Sequence, residues 1–342
     1  MFHDLSCIHA FRLRCGSEID YARVNAWIGV AIRHQVQELD VLAFTEGPIS
    51  LPRILFTCKT LVVLKLGTDF QLVNFPVSIH LPSLKTLHLS IASPNNDLMQ
   101  NLLCGCPAVE DFFFYGPVGG AEGSVFNISN PALKSLKTDL FYQKMENVTN
   151  KIVVNAPILE CLSLQDYCLS RYLHANPVFL ILKEISNVKF VSLGSLTMYV
   201  LHFADDNTWP VFPNLTHLEL GVHNGYGGRR LLDLLNSAPS LAVLELKFLY
   251  TETFSVHWNE PQGMPICLSS HLKEVIINEL KGLRAELMLV KYFLENALAL
   301  SKMTINHHIL AVEEERKFLK KILMFPRGSK ICQIEVSGKF DC

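Results

Sequence analysis

Apolar residues recur along this chain in one local frame, apolar-x-x-apolar-x-apolar, and the frame itself comes back again and again. It is sharpest in FPNLTHLELG (212–221), where Leu215, Leu218 and Leu220 follow a proline-containing lead-in. LPSLKTLHLS carries it at Leu84, Leu87 and Leu89, APILECLSLQ at Leu159, Leu162 and Leu164, and APSLAVLELK at Leu241, Leu244 and Leu246. Looser copies stand at Ile8/Phe11/Leu13, Val36/Leu39/Val41, Leu61/Leu64/Leu66, Val109/Phe112/Phe114, Leu133/Leu136/Thr138 and Leu272/Val275/Ile277. Two weaker ones are read at Leu182/Ile185 and Leu300/Met303/Ile305. First positions then fall 23 to 33 residues apart, with the irregularity concentrated after 182. Alternation of apolar and polar positions within the frame predicts a short strand.

The stretches between frames carry a different period. Residues 20–35 place Val24, Trp27, Ile28, Ala31 and Ile32 at helical spacing, and 97–103 and 229–235 read as short helices stopped by Cys-Pro and Ala-Pro turns. Strand, helix and strand at a period of 20–30 residues is the signature of leucine-rich repeats. The expected fold class is α/β: a leucine-rich-repeat solenoid, a curved parallel sheet with outer helices. Twelve strands at ~4.8 Å spacing would give an inner edge of about 50–60 Å, enough for a protein partner. The chain is expected to open inside the array, with residues 8–13 as its outermost strand.

In such a unit the frame residues stack inward, and the residues between and beside the last two face out. That rule predicts a surface: Arg12, Arg14, Glu38, Asp40, Val63, Lys65, Thr86, His88, Ser90, Asp111, Phe113, Tyr115, Ser135, Lys137 and Asp139. It continues through Ser163, Gln165, Glu184, His217, Glu219, Val243, Glu245, Lys247, Glu274, Ile276 and Asn278. Its charged members are five basic against eight acidic, which disfavours phosphate-rich ligands. The candidate protein-binding residues are His88, Asp111, Phe113, Tyr115, Lys137, His217, Glu219, Glu245 and Lys247. Two aromatics together at 113 and 115 would supply anchoring contact area; the alternative is that 112–114 stand in a shifted frame and all are core.

Beyond residue 255 the texture changes. Residues 258–265 (WNEPQGMP) form a turn-rich link. Residues 284–300 predict a helix with Leu287, Val290, Leu294 and Leu298 on one side, and 311–324 a second with acids first and lysines last, which suits the helix dipole. Residues 331–336 read as a closing strand. The segments HLKEVIINELKG (271–282), VKYFLENA (290–297) and FPRGS (325–329), with Cys267-Leu268 and Cys332, resemble the FBD domain of plant F-box/FBD/leucine-rich-repeat proteins. LPRILFTCKTLVVLKLG, LPSLKTLHLS and LLCGCPAVEDFFFYG are similar to that family's repeats. The resemblance implies irregular repeats over residues 1–255, closed by an FBD-type α/β cap over 256–342. It also implies protein recognition, as the substrate-binding part of an F-box-type ubiquitin ligase receptor. Family members carry an F-box that docks on a Skp-type adaptor; the residues at the start of this chain read as repeat, so the adaptor is expected as a partner only where an F-box is supplied. The rival class is a small-ligand or hormone-sensing repeat receptor, which needs a basic floor on the same face.

Composition narrows the remaining classes. Of 342 residues 49% are hydrophobic and 18% charged, enough apolar material for a sizeable core. A net charge of −2 gives no footprint for nucleic acid or membrane surfaces, and no apolar run reaches a membrane span. Ten scattered cysteines, Cys58, Cys104 and Cys161 among them, read as reduced buried thiols of a cytoplasmic or nuclear protein. No cofactor, metal set or catalytic grouping is expected, and the chain does not read as an enzyme. Cys104-Gly105-Cys106 lacks a second pair at metal-ligand spacing. The run 225–230 (GYGGRR) lacks the ending of a phosphate loop and reads as an inter-repeat connection. His307-His308 reads as a solvated pair at a strand end.

Overall fold

The computed structural model describes residues 7–16, 20–43, 51–70, 76, 78–91, 96–117, 125–141, 151–166, 175–203, 209–223, 227–249, 263–309 and 311–338. They fall into two compact units, residues 7–159 and 160–338. Each is a parallel sheet with helices beside it, the arrangement of leucine-rich repeats.

The first unit begins with β1 (Ala10–Cys15), α1 (Tyr21–Arg33) and β2 (Glu38–Ala43), and adds β3 (Val63–Phe70), β4 (Thr86–Ile91), α2 (Asn96–Gly105), β5 (Asp111–Pro117), β6 (Val125–Ser129), β7 (Ser135–Phe141) and β8 (Lys151–Asn155). Strands β1, β2, β3, β4, β5 and β7 pair in that order, all parallel, while β6 and β8 make a separate parallel pair. Residues 10–43 are therefore strand, helix, strand, as the period predicts. The Asp20 carboxylate accepts from the Ala22 amide to start α1. Val24, Ile28 and Ala31 are buried, but Trp27 stays 40% exposed on the outer side. Phe11 and Leu13 are only half-buried, because β1 has a strand on one side alone among the described residues.

The second unit comprises β9 (Cys161–Asp166), α3 (Ala175–Glu184), β10 (Phe190–Leu193), α4 (Ser195–His202), β11 (His217–His223), α5 (Gly227–Ser237), β12 (Val243–Leu249), α6 (Ile266–Ser270), β13 (Glu274–Leu280), α7 (Arg284–Asn296), β14 (Lys302–His307), α8 (Val312–Leu323) and β15 (Gln333–Gly338). Strands β9 to β15 pair in sequence order, all parallel. The FBD-like segment thus contributes three strands parallel to the repeats before it, with one shift of register between Ile277 and Leu280 where β13 meets β14.

One device recurs at most steps. The carbonyl just before each strand accepts from two successive amides of the next repeat: Gln37 O from Val62 and Val63, Val62 O from Lys85 and Thr86, Lys189 O from Thr216 and His217. Backbone polar groups are satisfied laterally, so the frame residues are free to be wholly apolar. Leu39, Leu87, Phe112, Phe114, Leu162, Leu244, Leu246, Ile277, Met303 and Ile305 are all fully buried, and Leu218 and Leu220 nearly so.

The structure corrects the reading of the sequence in four places. Leu182 is in α3 and Ile185 just beyond it, and the repeat strand of this segment is β10, whose frame is Val188, Val191 and Leu193. The misread copy lacks a third apolar residue, since Asn187 stands there; the true one falls 29 residues after Leu159 and 27 before Leu215. Glu184 consequently lies at the end of a helix and not on the strand face. Helix α7 stops at Asn296, leaving Leu298 half-exposed, because Ala297 turns extended to lead into the Leu300/Met303/Ile305 frame. Cys104 is exposed on α2, whereas its neighbour Cys106 is buried, and that burial pushes the thiol up to about 12. Finally, His307 is buried against Phe318, and His308 pairs with Glu279, so neither is a solvated end. Most of the 258–265 link lies outside the described residues.

Candidate functional site

Alternation places a row of side chains from each strand on the exposed face of the sheet. In the first unit the register sets Asp40, Lys65, His88, Phe113 and Lys137 side by side on β2, β3, β4, β5 and β7. Asp111 and Tyr115 flank Phe113 two residues before and after it on the same face. Phe112 and Phe114 are fully buried while Phe113 is half-buried and Tyr115 is 39% exposed, so the unshifted frame is the correct one. His88 and Phe113 meet edge to face at 5.5 Å between ring centres. The same histidine donates from Nε2 to Asp111 at 3.3 Å. That bond, helped by Ser135 and the charge of Lys137, outweighs desolvation and holds the Asp111 carboxyl below its ordinary value.

Charges on this face answer one another across strands. Arg14 Nη1 and Nη2 donate to Asp40 Oδ1 and Oδ2, each at 2.8 Å, and Arg12 reaches Glu38 at 3.1 Å. The fork on Asp40 keeps that carboxyl low. Along the edge just before the strands, Lys85 and Lys134 clasp Glu110 from both sides at 3.4 and 2.8 Å. The described cations alternate with carboxylates instead of gathering into a basic floor, an arrangement suited to a protein surface and unsuited to a polyphosphate.

In the second unit His217, Glu219, Glu245 and Lys247 lie on the exposed face of β11 and β12, with Glu219 directly beside Glu245. Burial, and next the Glu219 charge, raises the Glu245 carboxyl above its ordinary value. Asn278 Nδ2 donates to Glu245 at 2.6 Å, Asn306 Nδ2 donates to Asn278 Oδ1 at 2.6 Å, and the Ser337 hydroxyl donates to Asn306. A polar ladder therefore crosses four strands, β12 to β15. Sequence reasoning found Asn278 and missed Asn306 and Ser337. The signal available was the Leu300/Met303/Ile305 frame, whose alternation already places Asn306 on the exposed side.

Where β10 lies, the face is covered. The chain turns from Leu193 directly into α4, which packs on β9 and β11, and Ser192 is 3% exposed beneath a hydrogen bond from Gln165. Gly221 makes this possible, since a Cβ there would sit 2.3 Å from the Ser195 nitrogen. Arg230, from the glycine-rich run, is buried and donates to the carbonyls of Leu201 and His202 and to Asp233 while lying over Trp209. That side chain holds two helices together. Among the described residues no group of three or more His, Cys, Asp or Glu side chains could hold a metal ion, and no helix is long and apolar enough to cross a membrane.

Two family models match the chain: "FBD-associated F-box protein At5g56370, LRR repeats" over residues 24–178, and "FBD" over residues 260–305. The chain is similar to the F-box/FBD/LRR-repeat protein At5g22670 of Arabidopsis thaliana, at 30% identity over 97% of this chain and 82% of that one. It is also similar to At4g00160 (29%, 99% and 80%) and At5g22660 (27%, 97% and 81%), both F-box/FBD/LRR-repeat proteins of the same plant. No solved structure gives a significant match.

Proposed function

Since the chain belongs to the F-box/FBD/leucine-rich-repeat protein family, we propose that it selects a protein substrate for a ubiquitin ligase through the exposed faces of its strands. The observation that carries this reading is the division of labour along each strand. Outside β1 and β15 the frame residues of the strands are buried, while the alternate ones are mostly half-buried or exposed and include Phe113 and Tyr115. Aromatic groups left part-exposed on a rigid, fully paired sheet are the kind of anchor that protein interfaces are built around. The residues assigned to target binding are His88, Asp111, Phe113, Tyr115 and Lys137 in the first unit, and His217, Glu219, Glu245 and Lys247 in the second. A Skp-type adaptor would be engaged through an F-box joined to this chain, not through the repeats. Residues 256–342 are assigned to the FBD segment. No disulfide joins the described cysteines, which supports a cytoplasmic or nuclear setting.

Photo-crosslinking tests the reading. A benzophenone amino acid at position 113, 115 or 219 should yield adducts with a plant protein that competes for these positions in a cell extract. The same group at the outer position 27 or 180 should not. Adducts from the outer positions alone would overturn the assignment of the binding face.

A further inference from the structure

The row across β3, β4, β5 and β7 has a chemical polarity that names a class of partner. Reading along it gives Lys65, His88, Phe113, Lys137. The carboxylates around it have partners of their own: Glu38 with Arg12, Asp40 with Arg14, Asp111 with His88. Lys65 and Lys137 form no ion pair among the described residues; they act on Asp40 and Asp111 only as secondary charges. Two cations without close partners thus bracket an aromatic centre, His88 edge-on to Phe113 with Tyr115 beside it.

Spacing decides what can satisfy both cations. Three strand intervals at ~4.8 Å place the two lysine backbones about 14 Å apart, too far to share one phosphate or one carboxylate. An extended peptide laid across the strands presents same-side residues about 6.8 Å apart, so its residues i and i+4 are about 13.6 Å apart. The two lengths match within the reach of a lysine side chain. Residue i+2 then falls over the His88–Phe113 edge, a half-buried aromatic surface. Resting on the reading of this face as the target-binding surface, we propose that the first unit recognises an extended segment of a partner protein of the form acidic-x-apolar-x-acidic. The two acids pair with Lys65 and Lys137, and the apolar residue packs on Phe113 and Tyr115.

The sheet offers such a segment side chains only, since its backbone groups are consumed between strands. Affinity for a short peptide should therefore be modest, salt-dependent and dominated by the central residue. The test is selection of a displayed library of random twelve-residue peptides on the full chain. Enrichment of Asp or Glu four residues apart, with Leu, Met or Phe midway, is the expected result. A synthetic peptide of that form, followed by fluorescence anisotropy, should lose at least tenfold in affinity to Lys65→Glu/Lys137→Glu. A peptide with lysines in place of its acids should gain on the same variant. Unchanged affinity in the double variant, or an enriched set without the acidic pair, overturns the proposal. Phe113→Ser separates the two levels. If non-acidic peptides are enriched and lost on Phe113→Ser, the face binds and the charge assignment falls; if no selected peptide responds to Phe113→Ser, both fall. All three positions are exposed or half-exposed, so hydrogen exchange of β4 and β5 should show the variants folded.

Discussion

Replacing Glu286 by alanine should loosen the FBD-like segment more than any other single polar change in it. Its side chain is 1% exposed, and one oxygen accepts from the amides of Lys281, Gly282 and Leu283 at 3.0, 2.8 and 3.0 Å. These amides lie at the entrance to α7, where the helix itself offers no acceptor and the macrodipole favours a negative charge. Gly282 has φ +79°, which curls the three N–H groups around a single point. A hydrogen bond to a charged group is worth ~1.5–3 kcal/mol. Three donors sharing one oxygen are not independent, so the loss should total ~3–5 kcal/mol, the scale of breaking a buried pair. Glutamine keeps an acceptor oxygen but loses the charge and brings two donors of its own, so it should fall between alanine and the native residue. The chain has two units, and global unfolding will not report one cap cleanly. Hydrogen exchange of residues 281–296 reads it directly, as a loss of protection in the order Ala, Gln, native. Protection in Glu286→Ala within ~0.5 kcal/mol of native would mean that water or another group replaces the carboxylate, and the anchoring role would be refuted.

Three further outcomes follow from the same contacts. Leu218, paired between Val191 and Leu244 and 1% exposed, should cost ~2–5 kcal/mol as Leu218→Ala, while His217→Ala on the open side should stay within about 0.5 kcal/mol; urea unfolding in which these rank the other way would put the frame off by one. The Glu245 carboxyl is raised in the folded state, so the proton is bound more tightly there, and that contribution is full in acid and lost as pH rises through the folded value. Glu245→Gln should therefore be more stable than native at neutral pH, with the difference vanishing below about pH 4; a constant difference across a pH series of melting curves would contradict this. Thr138 fills an inward frame position at 2% exposure with no hydrogen-bond partner for its hydroxyl among the described residues, so Thr138→Val should raise stability by about 1 kcal/mol in denaturant titrations.

The fold was legible because the repeat writes two periods at once. A frame with apolar residues at offsets 0, 3 and 5 can bury all three only as a lead-in turn followed by a strand, and that reading placed Leu218 and Phe112 correctly. It failed where the offsets suit two structures. Leu182 and Ile185 stand three apart, which serves a helix as well as a frame, and only the polar Asn187 distinguishes them. His307 misled for another reason. Its burial depends on α8 folding back to bring Phe318 and Glu315 against it, a contact no local pattern announces. The ladder from Glu245 to Ser337 is likewise written laterally, between residues 28 to 33 apart, and appears only once the register is known.

The same distinction explains why the family can be recognised while the target cannot. The residues that carry the resemblance hold backbone in place. Glycine at 282 adopts the left-handed conformation of the cap, and Cys267 is fully buried and donates to the Leu235 carbonyl. In FPRGS the Gly328 amide donates to Leu294 O, and a Cβ at 328 would sit 2.3 Å from Glu295 O. Each such position is fixed by the chain's own geometry, so a relative at 30% identity can share it without sharing a partner. Phe113, Tyr115, Lys65 and Lys137 are constrained by nothing comparable: the sheet would pair identically with other side chains there, because the ladder uses backbone alone. Neither lysine has an ion pair among the described residues, and both aromatics are part-exposed on the strand face. That makes the row on β3 to β7 the place where a partner's chemistry is to be sought.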